Sequence, residues 1–353
     1  MPKFENNILG LIPKTDWLNV GFNVTRQNDP IDGLFGDIRT DNLVAEWETI
    51  ASEFQIPMMA QFHSFDTEAK TTFRAPVDNH NIEKGLIKVK LNTSERMRAL
   101  LRNGVQNDEM YDYILDDGAR LAEQVFTRSK VAKNELMATG TVTIKENNID
   151  TTVDYGVTAA QKAFTIDLSA SGDVPAALET IVEFALDKGV TINGMMTSRK
   201  NINKMRQNTV LQKEINGSAM QGALVRRSAL EAYLSEEFGI DQIVTNDLAY
   251  GYDYSFDGDA RPVIKTARYY PEDKITFFVT NNGGTLGTGL WGNPPEVDVD
   301  QFLHGYAASD LPYVYLSQWS EKDPAVLWTK ASALYMPVLY APESLYIATV
   351  TGE

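Results

Sequence analysis

A run of three glycines near the C-terminus has the spacing of a nucleotide-binding loop. The sequence Gly287-Thr288-Gly289-Leu290-Trp291-Gly292 matches the glycine fingerprint of dinucleotide sites, and it follows a strand that we predict over residues 275–280. Such a site needs a helix to begin at the glycines, because the helix amides and dipole hold the pyrophosphate. Two prolines, Pro294 and Pro295, follow and oppose a helix. The pattern therefore predicts a surface loop, and a nucleotide-binding α/β enzyme is the alternative.

A second segment has part of the pattern of a calcium loop. Asp253, Ser255 and Asp257 stand at ligand spacing, but the twelfth position, which should be a bidentate Glu, is Ile264. We therefore predict a hairpin turn there. The three histidines have no metal-ligand spacing with one another or with a carboxylate: His63, His80 and His304. The sequence predicts no metal site and no cofactor.

No local motif of covalent catalysis is present. The chain has no cysteine, so a thiolate nucleophile, a thiolate metal site and a disulfide are excluded. It also lacks the Gly-x-Ser-x-Gly elbow and the phosphate-binding loop that ends in Gly-Lys-Ser/Thr. We therefore predict that the protein is not an enzyme, and a triad built from distant residues is the alternative that sequence leaves open.

Two basic clusters stand out in an acidic chain. The formal net charge is −16, which disfavours a protein that grips nucleic acid through its phosphates. The clusters are Arg199, Lys200, Lys204 and Arg206, and the pair Arg226 and Arg227. They are interpreted either as solvated surface or as contacts to acidic patches on a neighbouring copy, which makes Arg199, Lys200, Arg226 and Arg227 candidates for subunit contacts.

The length and composition indicate a large folded body. With 353 residues and 43% hydrophobic content, the chain has enough apolar material for one large domain or two joined ones. The sequence shows no signal peptide and no apolar run of about 18–20 residues that could cross a membrane.

The first hundred residues predict an irregular arm and a projecting ribbon. Residues 1–40 are polar and rich in Asn, Asp, Gly and Pro. Residues 71–91 look like two short strands around a turn near residues 79–85, and an isolated ribbon of two strands is marginal in water. We expect both segments to pack on neighbouring molecules. The candidate contact residues in the ribbon are Phe73, Arg74, Lys84, Lys88 and Lys90.

A long helix and a second ribbon follow. Residues 108–138 begin with Asn107 or Asp108 as the N-cap and end at Gly140, and their apolar residues recur at helical spacing along one stripe. The stripe contains Met110, Ile114, Leu121, Val125, Ala132 and Leu136. Residues 140–156 then predict two strands around the turn Glu146-Asn147-Asn148.

Beyond residue 165 the chain predicts alternating helices and strands. The first helix is opened by Asp173 and Pro175, has an apolar face that includes Leu186, and is closed by Gly189. A basic helix spans about residues 198–214. Ser228 and Glu231 form a capping-box pattern at the start of a third helix, which Gly239 closes. Strands are predicted at residues 242–246, 274–280 and 335–350.

This order of elements resembles a known family. The segments NDEMYDYILDDGARLAEQVF, GTVTIKENNIDTTVDYG and DPAVLWTKASALYMPVLYAPESLYIATV are similar to the lambda-like phage major capsid proteins of the capsid protein E group, over about residues 45–353. The resemblance implies an α+β fold of the Hong Kong 97 capsid type. Its parts would be an N-terminal arm (1–40), an extended hairpin loop (41–106), a peripheral domain with a spine helix (107–164), an axial domain (165–325) and a C-terminal strand that returns to the peripheral domain (326–353).

The function that the resemblance implies is shell building. Copies of the chain would form hexamers and pentamers of the icosahedral head of a tailed double-stranded DNA phage, located in the virion and assembled in the host cytoplasm. The implied partners are other copies of the chain, a separate scaffolding protein, a portal protein and a decoration protein, with DNA enclosed but not bound by sequence and with no membrane partner. A tail component is the other structural alternative.

Overall fold

The computed structural model of the chain describes residues 29–50, 59, 77–93, 107–217, 222–256, 262–280, 284–298, 303–306, 313–321 and 326–352. The helices are α1 (Asn107–Thr139), α2 (Val174–Asp187), α3 (Arg199–Gln207), α4 (Thr209–Asn216) and α5 (Arg227–Phe238). Strands β1 to β9 are Phe35–Arg39, Val44–Ile50, Val77–Glu83, Gly85–Thr93, Thr141–Glu146, Ile149–Asp154, Phe164–Asp167, Gly194–Thr197 and Gln242–Thr245. Strands β10 to β17 are Ala249–Phe256, Pro262–Arg268, Lys274–Phe278, Gly287–Gly292, Leu303–Tyr306, Tyr315–Ser320, Leu327–Leu339 and Leu345–Thr351. None of the described helices is both long and apolar enough to span a membrane.

The first core lies between the long helix α1 and a six-stranded sheet. The sheet runs in the order β1-β13-β16-β15-β14, and β4 also pairs with β16. Apolar residues of α1 at helical spacing, among them Leu121, Val125 and Leu136, are buried in this core. Gly140 ends the helix with a φ of +69°, a backbone conformation that glycine adopts without strain. The predicted long helix is therefore confirmed in its extent and its end, and its buried face is confirmed at Leu121, Val125, Ala132 and Leu136. The side chains of Met110 and Ile114 lie outside the described residues.

The second core lies under helices α2 to α5. They cover one face of a five-stranded sheet with the order β7-β17-β12-β8-β9, in which β12 runs against its neighbours. Alternate residues serve the two cores: Met195 and Phe277 face the helices, whereas Met196 and Phe278 belong to the α1 core. The two cores therefore share this sheet as a wall.

Three two-stranded ribbons complete the described fold. They are β2–β3, β5–β6 and β10–β11. The β5–β6 ribbon turns through Asn147 and Asn148, which both have a positive φ as in the tight turns that suit a hairpin. This ribbon is the one that the sequence predicts after the long helix, and the prediction is confirmed.

The predicted ribbon over residues 71–91 is wrong as a pairing. The second predicted strand is present as β4, but residues 77–83, which include most of the predicted turn, form β3 and pair with β2, while β4 pairs along its whole length with β16, for example Val89 with Ala331. Residues 71–76 lie outside the described residues. Ile87 and Val89 of β4 pack against the first core, so this strand has a partner in its own chain. The strand that accommodates β4 lies near the C-terminus, and no local pattern indicates that contact.

The described part of the predicted arm also packs on its own chain. Strand β1 runs parallel to β13, and Ile31, Leu34 and Phe35 are buried in the first core. The expectation that the leading segment lacks a site on its own molecule is therefore wrong for residues 29–40, since Ile31, Leu34 and Phe35 are covered by the same chain, although Ile38 is 50% exposed. Residues 1–28 lie outside the described residues.

Smaller corrections concern the second half of the chain. The basic helix predicted over 198–214 is two helices, because Asn208 has extended backbone and caps α4 through its side chain. Leu186, predicted on the buried face of α2, is 53% exposed. In the C-terminal part of the chain, β13, β14 and β15 share a sheet with β16, whereas β17 joins the five-stranded sheet.

Candidate subunit-contact surfaces and the buried charges behind them

The glycine run is a strand in the first core and not a loop. Residues 287–292 form β13, which is paired with β1 on one side and β16 on the other. A Cβ atom on Gly287 would lie 2.0 Å from the carbonyl oxygen of Val338, and one on Gly289 would lie 2.4 Å from Oδ1 of Asp37. The glycines therefore allow close packing. The predicted surface loop is wrong, and the helix that a nucleotide site needs is not present at these residues.

A buried lysine joins the leading segment to α1. The ammonium of Lys133, 1% exposed, lies 2.9 Å from Oδ1 of Asp37 and 3.2 Å from Oδ1 of Asp32, and it donates to the carbonyl oxygen of Phe35. Lys130 lies 3.5 Å from the other oxygen of Asp32. A buried cation needs such partners, since an unpaired charge in the interior is costly. These ion pairs therefore fix where residues 32–37 lie on the helix.

A buried carboxylate extends this junction to the second sheet. Asp29 caps the short 3-10 helix Pro30–Gly33 by accepting from the amide of Ile31, and it also accepts from the side-chain amides of Asn246 (2.9 Å) and Asn134 (3.3 Å). Burial raises the pKa of Asp29, against the hydrogen bonds and Lys130, which lower it. One side chain thus contacts the leading segment, α1 and the end of β9. The Asp-Pro step before this turn is a sequence signal that could have indicated the cap.

Lys84 is not available to a neighbouring subunit. It is 2% exposed, and its ammonium donates to the carbonyl oxygens of Asn42 (2.6 Å), Thr40 (3.0 Å) and Trp291 (3.3 Å). Burial lowers the pKa of Lys84, and Asp41 opposes that shift. Lys84 is therefore withdrawn as a subunit-contact candidate, because its donors are used within the chain.

The two lysines of β4 are exposed and in part contact their own chain. Lys88 lies 2.9 Å from Oε1 of Glu296, which also accepts from Lys330 at 2.6 Å. Burial alone would raise the pKa of Glu296, but the hydrogen bonds from both lysines outweigh it and lower the pKa to about 2. The ammonium of Lys90 stands 4.2 Å from the ring centroid of Trp328. Phe73 and Arg74, the remaining candidates of this segment, lie outside the described residues.

The first basic cluster lines an open pocket beside the start of α3, where strand β8 of the five-stranded sheet ends. Its lining includes four cations, Arg199, Lys200, Lys204 and Arg268, and two carboxylates, Asp247 and Glu272. Glu272 pairs with Lys200 at 2.9 Å and with Arg268 at 3.5 Å, and these cations lower the pKa of Glu272, the hydrogen bond from Lys200 most. The pocket thus keeps a surplus of positive charge on a chain whose net charge is −16.

The second basic cluster begins α5. Arg226 is the N-cap residue and is exposed, with no side-chain capping bond, and Arg227 pairs with Glu231 at 2.7 Å across one turn. The predicted capping box is wrong, because the helix begins at Arg227 and Ser228 is already inside it. Glu231 therefore forms an ion pair along the helix and does not cap the end of the helix.

An exposed apolar ribbon was not predicted as a surface. Four large apolar side chains of β10–β11 are between 53% and 64% exposed: Tyr252, Tyr254, Val263 and Ile264. Asp253, at the first position of the partial calcium-loop pattern, pairs with Lys265 across the ribbon at 2.7 Å. The turn residues 257–261 lie outside the described residues. Among the residues that the structure describes, no three carboxylate or histidine side chains converge to hold a metal ion.

Solved structures with a similar fold include phage and prophage proteins. A phage-related protein from Bordetella bronchiseptica RB50 aligns with a TM-score of 0.50 at 10% identity, over 93% of this chain and 95% of that one. A putative capsid protein of a prophage of E. coli CFT073 aligns with a TM-score of 0.46 at 14% identity, over 78% and 80%. A chain of Microbacterium phage Oxtober96 aligns with a TM-score of 0.48 at 11% identity, over 93% and 92%. A search of curated protein sequences finds no match to this chain.

The structural similarity shows a shared fold, and together with the family match it confirms the predicted α+β capsid fold. The family model described as phage major capsid protein E matches residues 45–350, so the chain belongs to the phage major capsid protein E family. The protein is a major capsid protein of a bacteriophage, a structural component of the virion that assembles with copies of itself into a shell. The nucleotide-binding enzyme and the tail component are not favoured.

Proposed function

We propose that this chain builds the icosahedral head of a tailed double-stranded DNA phage as hexamers and pentamers of identical subunits. The observation that carries the proposal is the β10–β11 ribbon, which exposes Tyr252, Tyr254, Val263 and Ile264. A ribbon of two strands is marginal in water by itself, and clustered exposed apolar side chains mark contact sites. A neighbouring subunit would cover these side chains, and that burial would favour the assembled state.

Other surfaces support the same proposal. Lys88, Lys90, Arg226 and Arg227 have exposed parts that a neighbour could contact, and Phe73 and Arg74 remain candidates in the segment between β2 and β3. The net charge of −16 suits a wall that encloses DNA without adhering to its phosphates. In this proposal the subunit has no enzymatic activity. Assembly takes place in the host cytoplasm with a separate scaffolding protein and a portal protein, and a decoration protein binds the finished shell.

Electron microscopy of the full chain tests the proposal. Negative-stain images of the protein, expressed alone and together with the neighbouring phage genes, should show closed shells. Tubes or sheets alone would favour a tail component, and particles that stay monomeric under every condition would contradict the proposal.

A pair of substitutions tests the ribbon directly. Tyr254→Asp and Ile264→Asp place a charge on the exposed ribbon, so the subunit should keep its thermal unfolding temperature and lose shell formation. Leu224→Asp is a matched control, because Leu224 is 53% exposed and lies outside the ribbon. Shells from the ribbon variants at the yield of the unsubstituted chain would contradict the assignment of this surface.

A further inference from the structure

Two helices of the second core have opposite and segregated charges. Helix α2 carries three acidic residues, Glu179, Glu183 and Asp187, and no Lys or Arg. Helix α3 carries four cations, Arg199, Lys200, Lys204 and Arg206, and no Asp or Glu. Mixed charges at helical spacing are the usual arrangement on exposed helices, because i,i+4 pairs of opposite sign stabilise them. Here each helix lacks the charges that would balance its own.

The acidic residues form one exposed row on α2. Glu179, Glu183 and Asp187 follow one another at i, i+4 spacing and are all exposed, and Leu186 is 53% exposed beside them. Within the described part of the chain, no ion pair is found at this row. The row is unfavourable in an isolated subunit for two reasons: like charges at this spacing repel, and the row runs toward the negative end of the helix dipole.

The cations of α3 are placed unfavourably in a corresponding way. Arg199 and Lys200 are in the first turn, at the positive end of the dipole, where anions are preferred. The pocket that they line holds two carboxylates against four cations, so a surplus of about two positive charges remains after the contacts within the chain. An acidic surface that docked there would relieve both unfavourable arrangements at once.

The two surfaces lie in different places on the subunit. Helix α3 begins where β8 ends, since only Ser198 separates Thr197 from Arg199. Helix α2 precedes β8, and its last turn leads to the opposite end of that strand. The acidic row therefore extends away from the end of β8 at which the basic pocket lies. Two different surfaces of one chain that complement each other generate head-to-tail contacts, which close into a ring when the rotation allows it.

We propose that the basic pocket at the start of α3 docks onto the acidic row of α2 in a second copy of this chain. This inference rests on the proposed shell-building function and names one contact between neighbouring subunits of the shell. Ion pairs form between Arg199 or Lys200 of one subunit and Glu179 or Glu183 of the next, and Leu186 is covered as they form. Complementary charge of this kind steers association and fixes its register.

A charge-swap experiment on the full chain tests the proposal. The double variant Arg199→Glu/Lys200→Glu and the double variant Glu179→Lys/Glu183→Lys should each lower the rate of assembly about tenfold or more, as followed by light scattering. The chain with all four substitutions should recover a rate close to that of the unsubstituted protein. Assembly of the unsubstituted protein should also slow as salt rises, because salt screens exposed charges.

Two controls keep the result interpretable. Glu236→Lys/Glu237→Lys reverses two exposed acidic residues on α5 and should leave assembly within about twofold, because these residues are not in the row. The thermal unfolding temperature of each unassembled variant shows that the chain is folded. Arg199→Gln/Lys200→Gln or Glu179→Gln/Glu183→Gln replaces the double variant at the same positions if that variant does not fold.

The possible failures are distinct. If the unsubstituted chain makes no closed shells, the proposed function fails. If it makes shells and either double variant assembles at the normal rate, only the docking of α3 onto α2 is overturned. Slow assembly of both double variants without recovery in the fourfold variant also overturns it, since the two surfaces would then act on other partners.

Discussion

The two halves of the subunit use charge in opposite ways. Around the six-stranded sheet, charged side chains are buried and contact partners in the same chain. Asp29 accepts hydrogen bonds from three amides, Lys84 donates to backbone carbonyl oxygens, and Lys133 lies between Asp32 and Asp37. In the described residues 160–280, the buried polar side chains are all neutral, for example Asn201 and Asn208. None of the charged side chains in this part is buried, and on α2 and α3 the charges are segregated by sign.

The difference follows from how each half is connected. The six-stranded sheet joins β1, β4, β13 and β16 from distant parts of the chain, and a buried ion pair is satisfied only when the correct segments meet. The five-stranded half is mostly built from one continuous segment, for which helix caps and apolar packing are sufficient. Buried charges thus hold the subunit together, whereas exposed charges, which add little to folding, remain available to neighbours.

Replacing a buried lysine should have the largest effect on stability. Lys133→Met leaves Asp37 and Asp32 without their closest cation, so we expect about 3–5 kcal/mol of unfolding free energy to be lost. Lys200→Met removes the exposed ion pair with Glu272 and should change the unfolding free energy by less than about 0.5 kcal/mol. Urea denaturation of the unassembled chain measures both. Equal losses would contradict the contrast between the two halves.

Two aspartates that cap helices provide the next comparison. Asp29→Ala leaves the amide of Ile31 and the side-chain amides of Asn246 and Asn134 without this acceptor, at a cost of about 2–4 kcal/mol. Asp173 is exposed and caps α2 through a single bond to Ala176, so Asp173→Ala should cost about 1 kcal/mol. Thermal unfolding of both variants measures the two losses of stability. A smaller loss for Asp29→Ala than for Asp173→Ala would contradict the contrast between the two halves.

Close packing in the first half gives a third test. Gly289→Ala should destabilise the chain by about 1–3 kcal/mol, because its Cβ would meet Oδ1 of Asp37 and the ring of Tyr335. Gly36 lies in the neighbouring strand β1 and has open space at its Cβ position, so Gly36→Ala should have little effect. The two midpoints of urea unfolding should differ accordingly, and coinciding midpoints would speak against a packing role for Gly289.

A pH titration gives the smallest expected effect. The pKa of Glu296 falls from 4.5 to about 2 in the folded chain, so its contribution to stability is present above about pH 4.5 and is lost as the pH falls toward 2. In Glu296→Gln, about 1–2 kcal/mol of this acid-dependent loss should disappear. Urea unfolding at pH 6 and pH 3 measures the slope, and an unchanged slope would mean that Lys88 and Lys330 do not hold the carboxylate.

Sequence patterns predicted the elements that are defined by local periodicity. The long helix, the ribbon around Asn147 and Asn148, and the strands near residues 242–246 and 274–280 are all present, because their apolar spacing and turn residues determine them locally. The family resemblance is confirmed over residues 45–350.

Contacts between distant segments could not be read in the same way. The glycines of β13 suggest a loop when taken alone, and only the neighbouring Val338 and Asp37 show why they are needed. The partner of β4 is β16, and no local rule relates Lys84 to the carbonyl oxygen of Trp291. Residue type alone indicates the subunit-contact candidates in the sequence, and the burial of Lys84 removes it from that set.

A high-resolution reconstruction of the assembled particle tests the central claim most directly. The account predicts a closed shell in which Lys133 pairs with Asp32 and Asp37 of its own chain, while Arg199 or Lys200 lies within about 4 Å of a carboxylate of α2 in the next subunit. A shell in which the row of Glu179, Glu183 and Asp187 faces solvent, or in which Lys133 pairs with a neighbour's carboxylates, would contradict it.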